Sequence, residues 1–218
     1  MAVYNKSQAT KQHIINVARQ LFWEKGYVNT YYKDLERFGG INPGLIHYHF
    51  KNKETLGWMV YSQLIDESIA LGELLATEGT KLLTKCCINI ILCWHWTEIS
   101  PEYARFSYEA ARERIPAQAA QNEDIYRFGE LLEGKVDERT LRILNRLAVS
   151  SENELFLALM EGFEDITPME CAYMDVRNCS SAVFSQEEID EEFANALKIL
   201  EQYEFTVSQG FELHYRKK

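Results

Sequence analysis

From Thr30 to Lys53 the chain reads TYYKDLERFGGINPGLIHYHFKNK, a run rich in aromatic, hydroxyl, imidazole and basic side chains. Its chemistry is that of recognition, because no acid lies between Arg37 and Glu54. Ile46 and Phe50 are four apart and, with Ile41, would face inward. The opposite face then carries Gly44, His47, Tyr48 and Lys51 at i, i+3, i+4 and i+7. Such a face offers donors for base edges in a major groove and cations for phosphates. Chemistry of bond making is not written here. There is no G-x-S-x-G, no P-loop and no G-x-G-x-x-G, so no catalytic residue is assigned. His95-x-x-Glu98 is a single metal-like pair where a di-iron bundle needs paired E-x-x-H motifs, so no metal or cofactor is expected.

Short helices must position that face. Thr30 is expected to cap one whose Tyr31, Leu35 and Phe38 form an inward stripe, and Gly39-Gly40 ends it. Asn42 caps the next, with Pro43 at its first position, where the missing N–H costs nothing. Two short helices about such a turn form a helix-turn-helix. A first helix, about Thr10 to Lys25, puts Ile14, Ala18, Leu21 and Phe22 on one face and stops at Gly26. Asn52 opens a fourth, through Leu56, Val60 and Leu64, ending before Gly79.

At this point the residues resemble a known family. Residues 11–56 are similar to the DNA-binding domain of the tetracycline-repressor (TetR) family. Phe22 and Gly26-Tyr27 match the end of its first helix, and Thr30 with Asp34-Leu35 its second. Gly40-Ile41-Asn42-Pro43-Gly44 match its turn and recognition helix. His47-Tyr48-His49-Phe50-Lys51-Asn52-Lys53-Glu54-Thr55-Leu56 match the run into the fourth helix. The chain departs at His47, where the family usually has Tyr, and at Glu36 and Gly39, which are commonly Ala. Geometry and resemblance together imply base-edge roles for Pro43, Gly44, Leu45, His47 and Tyr48, with Asn42 also among the DNA-binding residues. Thr30, Tyr32, His49 and Lys53 are implied at phosphates, though His49 could instead bond between helices. Tyr31 and Phe38 are read as core. Lys6 and Lys11 could form an arm on the backbone or a solvated tail.

The remainder reads as helical, so the fold class is all-α: residues 1–53 a helix-turn-helix DNA-binding domain, 54–218 an effector-binding and dimerisation domain. Thr80 to Glu98 forms one helix, and Ser100-Pro101 starts another. Segments near 122–133 and 137–149 follow Pro116. Capping boxes at Ser151-x-x-Glu154, Thr167-x-x-Glu170 and Ser185-x-x-Glu188 mark further starts. The last helix is expected to reach Gln209 and stop at Gly210, with no strands anywhere.

Charge divides the same way. The chain carries −10 overall, but residues 1–56 hold a net +4 and the rest −14. A basic head on an acidic body suits local contact with a duplex that repels the body. No apolar run approaches the roughly 20 residues that span a bilayer, so no membrane partner and a cytoplasmic location are expected. Five cysteines without a C-x-x-C pair read as small core residues, with adjacent Cys86 and Cys87 the only redox-like feature.

The resemblance implies a homodimer on a palindromic double-stranded operator, repressing until a small effector releases it. The last two helices would make the interface through Tyr173, Val176, Ile189, Phe193, Leu197, Leu200 and Phe205, although an intramolecular core would use the same stripes. An aromatic or hydrophobic effector would be lined by Trp94, Trp96, Tyr103, Phe106, Tyr108, Phe128, Met160 and Phe163. Glu98, Glu109 or Glu161 would favour a cationic one. The alternative is a helical interaction adaptor that keeps the helix-turn-helix shape without specific DNA binding.

Overall fold

The computed structural model describes residues 2–116 and 129–218. Three helices form the head: α1 (Ala2–Lys25), α2 (Tyr32–Gly39) and α3 (Pro43–Phe50). The body holds α4 (Lys53–Leu75), α5 (Leu82–Ile99), α6 (Pro101–Arg112), α7 (Gly129–Leu132), α8 (Glu138–Glu161), α9 (Pro168–Ser180) and α10 (Gln186–Leu200). It closes with a hairpin of β1 (Tyr203–Ser208) and β2 (Glu212–Lys217). The architecture is thus all-α apart from that hairpin. Among the described residues, no helix is long and apolar enough to cross a membrane.

Helix starts follow side-chain oxygens that satisfy otherwise orphaned N–H groups. Asn42 Oδ1 accepts from Gly44 N at 2.7 Å, and Asn52 Oδ1 accepts from Thr55 N at 2.8 Å. Ser100 Oγ accepts from Tyr103 N, and reciprocal boxes open α9 at Thr167 and α10 at Ser185. Ser151 is different. It lies within α8, which Asp137 caps, so the expected 137–149 segment and the expected start at 151 are one helix. The Ser151 hydroxyl donates back to Ala148 O at 3.0 Å, the bond a mid-helix serine can make without breaking the helix.

Two other boundaries move. α1 begins at Ala2 rather than Thr10, so the backbone at Lys6 and Lys11 is helical and forms no loose arm. α10 ends at Leu200 rather than Gln209, and the hairpin takes what was read as its last turns. The strand signal is Tyr-Glu-Phe-Thr-Val-Ser at 203–208, β-branched and aromatic residues with alternating burial at its start. Tyr203 pairs with Lys217 and Ser208 with Glu212, leaving a three-residue tip, Gln209 to Phe211.

α5 is the axis of the body, packed on α4, α6, α9 and α10 and touched by β1. Its Trp94 and Trp96 are fully buried. Val176, Ile189, Phe193 and Leu200, expected at a dimer interface, are buried within the chain, and Phe205 lies on β1 against His95 and Trp96. Apolar side chains left outward on the body include Leu74 of α4, Leu82 of α5, Ile143, Leu147 and Met160 of α8, Phe163, and Met169 and Met174 of α9.

Candidate nucleic-acid interface

The scaffold under the recognition surface is apolar. Ile46 and Phe50 of α3, Leu35 of α2 and Ile14, Ala18, Leu21 and Phe22 of α1 are buried together, with Ile41 from the turn. That packing fixes the outward face of α3. Tyr48 is 78% exposed and Leu45 43%, while Asn42, Gly44, His47 and Lys51 are also exposed and Pro43 partly so. These residues share one face beginning at the α3 N-terminus, where capped N–H groups and the helix dipole favour an anion nearby. The imidazole of His47 lies 3.0 Å from Lys51 O through Nδ1, and its ring sits 5.1 Å from that of Tyr32. His49 is half-buried, its ring edge-on to Tyr48 at 4.9 Å.

One expected phosphate contact takes another position. Thr30 is buried and its hydroxyl donates to Gly26 O at 2.7 Å. It closes the α1–α2 turn and does not cap α2. Tyr31 takes the cap position, where its N–H donates to Asp34 Oδ2 at 2.8 Å, and its ring is 55% exposed. Phe38 is equally exposed. Both were expected in the core; the i, i+4, i+7 spacing misled because α2 starts only after Tyr31, so the stripe loses its first member. Asp34, three residues on, was the available signal.

Lys53 is partly buried at the start of α4. Its ammonium donates to Val28 O at 3.2 Å and stands 4.3 Å above the Tyr27 ring. Burial holds its pKa below the usual lysine value, against the pull of Glu109, Glu113, Glu54 and Asp34. Tyr32, beside it, is raised by burial and by Glu54. Lys53 therefore ties the α1–α2 turn to α4 as well as offering a cation. Lys25 closes the same corner by an ion pair to Asp34 at 2.7 Å, which holds that carboxyl below its ordinary range.

The head meets the body through α6. Arg105 donates to Phe22 O at 3.4 Å and to Trp23 O, the Phe22 and Phe106 rings stack at 5.5 Å, and Glu109 accepts from Val28 N at 3.0 Å. Gly26, at φ +84°, would bring any Cβ within 2.6 Å of the Glu109 carboxylate. Glu109 is thus engaged with the head.

The expected effector lining is not gathered in one place. Trp94 stacks on Phe156 at 4.2 Å, while Trp96 donates to Ser68 at 2.9 Å. Tyr103 and Phe106 pack on Phe211, Tyr108 lies near Arg112, and Met160 and Phe163 are exposed. Phe128 lies outside the described residues. Glu98 pairs with His95 on the surface and Glu161 is exposed. The buried acids among the described residues are others: Glu152, which accepts from Tyr61 at 3.4 Å, Asp175, which accepts from the Trp94 indole at 3.4 Å, and Glu192, which accepts from Lys81 and Thr84. Hydropathy hid them, since each sits in a helix whose other face is polar.

Residues 14–56 match the profile described as bacterial regulatory proteins, tetR family. A 51-residue stretch is 37% identical to the HTH-type transcriptional regulator AcrR of Shigella flexneri, covering 23% of this chain and 24% of that protein. The match therefore spans about a quarter of that relative's length. Among solved structures, the chain resembles a TetR-family transcriptional regulator from Pectobacterium atrosepticum, with 19% identity, 82% of this chain and 94% of that one covered, and a TM-score of 0.49. It also resembles TylP, a TetR regulator from Streptomyces fradiae, with 13% identity, coverage of 88% and 98%, and a TM-score of 0.46.

Proposed function

From the match of residues 14–56 to the tetR family of bacterial regulatory proteins, we propose that the chain is a ligand-responsive transcriptional regulator, a repressor, acting as a homodimer in the cytoplasm. The observation that carries this reading is the outward face of α3: exposed Tyr48, Leu45, His47, Gly44 and Lys51 on a head whose inner face is closed by Phe50, Ile46 and Leu35. Asn42 through Leu45, His47 and Tyr48 meet base edges. Tyr32, His49 and Lys53 hold phosphates, and Tyr31 stands where Thr30 was expected. One such helix reads few base pairs, so two heads about 34–36 Å apart, or somewhat more, read a palindrome.

A second copy docks on the outer side of α8 and α9. Ile143, Leu147 and Met174 project there, and between them and α10 runs a groove of about 830 Å³ lined by Leu155, Ala158, Met174 and Ile189. In the body, Trp94 and Phe156 beside Glu152 and Asp175 combine aromatic faces with carboxylates, which suits an aromatic organic cation as effector. Its binding shifts the population toward a conformer whose α6 no longer holds the head in register with the groove.

Selection of bound sequences from a random duplex pool at two salt concentrations tests the reading. Recovery of a palindrome, weakened by salt and lost in Tyr48→Ala, is expected. Recovery of no sequence at either salt would overturn specific DNA reading.

A further inference from the structure

The C-terminal hairpin lies off the recognition face, yet its Phe205 and Phe211 reach the aromatic side chains of both the head and the body. Its root follows α10 after only Glu201 and Gln202, and the last residue closes it by Lys218 N donating to Gln202 O at 2.9 Å. Phe205 of β1 lies edge-on to Trp96 of α5 at 5.6 Å. Its tip lies on α1. Arg19 Nε donates to Gly210 O at 2.9 Å and Nη2 to Phe211 O at 3.2 Å. The same guanidinium forks onto Glu67 of α4, with Nη2 to Oε2 at 2.9 Å. One arginine thus joins the head helix, the connecting helix and the hairpin through charge-assisted bonds.

The tip is built for this contact. Phe211 has φ +64°, a left-handed conformation that side chains other than glycine rarely adopt. Its ring is wholly buried against Trp23 of α1 at 5.3 Å and against Phe106 of α6 at 5.2 Å. A strained backbone carrying a fully buried ring persists where the surroundings over-determine it. Gly210 beside it has φ +75°, and a Cβ there would lie 2.2 Å from Gln20 Nε2, so the end of that side chain would have to move. Gln209 adds a bond to Glu24 Oε1 at 3.3 Å. Alongside, a groove of about 850 Å³ bounded by Asn16, Leu74 and Tyr215 separates β2 from the head and α4, so the tip is a discrete contact and not continuous packing.

We propose that the hairpin is a strap that fixes the orientation of the head on the body, with Arg19 and Phe211 as its latch. It links the end of α10 to α1, in addition to the route through α6. Its consequence for DNA rests on the function proposed above, but its mechanical role does not.

Amide hydrogen exchange on the full chain tests it, with Phe211→Ala, Arg19→Lys and Phe211→Leu. Arg19→Lys keeps the charge and loses the fork. Amides of α1 to α3 should exchange roughly tenfold faster in Phe211→Ala and Arg19→Lys while α5 and α9 keep wild-type protection. Phe211→Leu, which keeps an apolar plug, should restore most of it. Unchanged exchange in the head, or an equal rise in α5 and α9, would overturn the strap and leave Phe211 as ordinary core. Should Phe211→Ala fail to fold, Arg19→Lys decides alone. Both variants should also weaken binding to the wild-type-selected duplex. If the wild type selects no duplex, the DNA reading fails while the exchange result still decides the strap.

Discussion

On the outer face of α3, Tyr48 is largely in solvent, its ring edge-on to that of half-buried His49, so its removal should leave the fold intact. Tyr48→Ala is expected to weaken the selected duplex by about 1–3 kcal/mol and to relax preference at one position, with an unchanged melting temperature. Lys53→Ala should behave differently. Its ammonium bonds Val28 O and covers Tyr27, so the variant should lose thermal stability as well as affinity, and the salt slope should fall by about one unit. Equal loss of affinity with no change in melting would mean that Lys53 serves phosphate alone. The cysteines give a third expectation. Burial pushes Cys87 up to about 12 and Cys171 to about 11, so native alkylation should reach half-buried Cys86 first. Individual caps such as Asn42 and Asn52 were legible because one side-chain oxygen decides a helix start. Tyr31 and Thr30 were not, since a single-residue shift in where α2 begins exchanges the exposed for the buried one.

Helix starts in this chain depend on carboxylates as well as hydroxyls. Asp137 is held below the ordinary carboxyl range by the Thr140 N–H, Glu170 by the Thr167 hydroxyl and Glu188 by the Ser185 N–H, while Asp34 is held down first by Lys25. A depressed folded pKa means stability that is fully present above the unfolded value and is lost as pH falls through the folded one. The urea midpoint should therefore be flat near neutrality and decline below about pH 4, where unfolded carboxyls begin to bind protons. A midpoint that rises on acidification would contradict the capping assignment. The all-α layout was readable from such caps and from glycine stops, because they are local. The hairpin was not read, although Tyr203 to Ser208 alternates, because Gly210 also suits a helix end. What decides for strands is tertiary: Phe205 on Trp96 and Phe211 beneath Trp23, contacts between residues far apart in the chain.

At the scale of the whole molecule, charge and packing constrain where the two copies of the dimer proposed above can meet. The heads carry the net positive charge and the bodies the −14, so in the proposed dimer the bodies would meet on a surface whose apolar gain outweighs their mutual repulsion. The stripes of α10 expected to supply that surface are spent inside the protomer, where Ile189, Phe193 and Leu200 close on α5. The sequence could not separate these uses, since a helix stripe looks the same whether it meets its own chain or another. Leu147 is the test, at 61% exposure on the outer face of α8. Leu147→Arg places a cation on that face without disturbing the core, so a lone protomer should keep its melting cooperativity. Sedimentation should then show the mass halved, and affinity for the palindrome should drop while a single half-site binds as weakly as before. If the variant stays at the wild-type mass, the copies meet elsewhere, and the half-site spacing recovered from selection would have to be explained by another pair of faces. Because raising salt relieves repulsion between acidic bodies but strips counterion-driven contact from the heads, the dimer should tighten under the same conditions that release DNA.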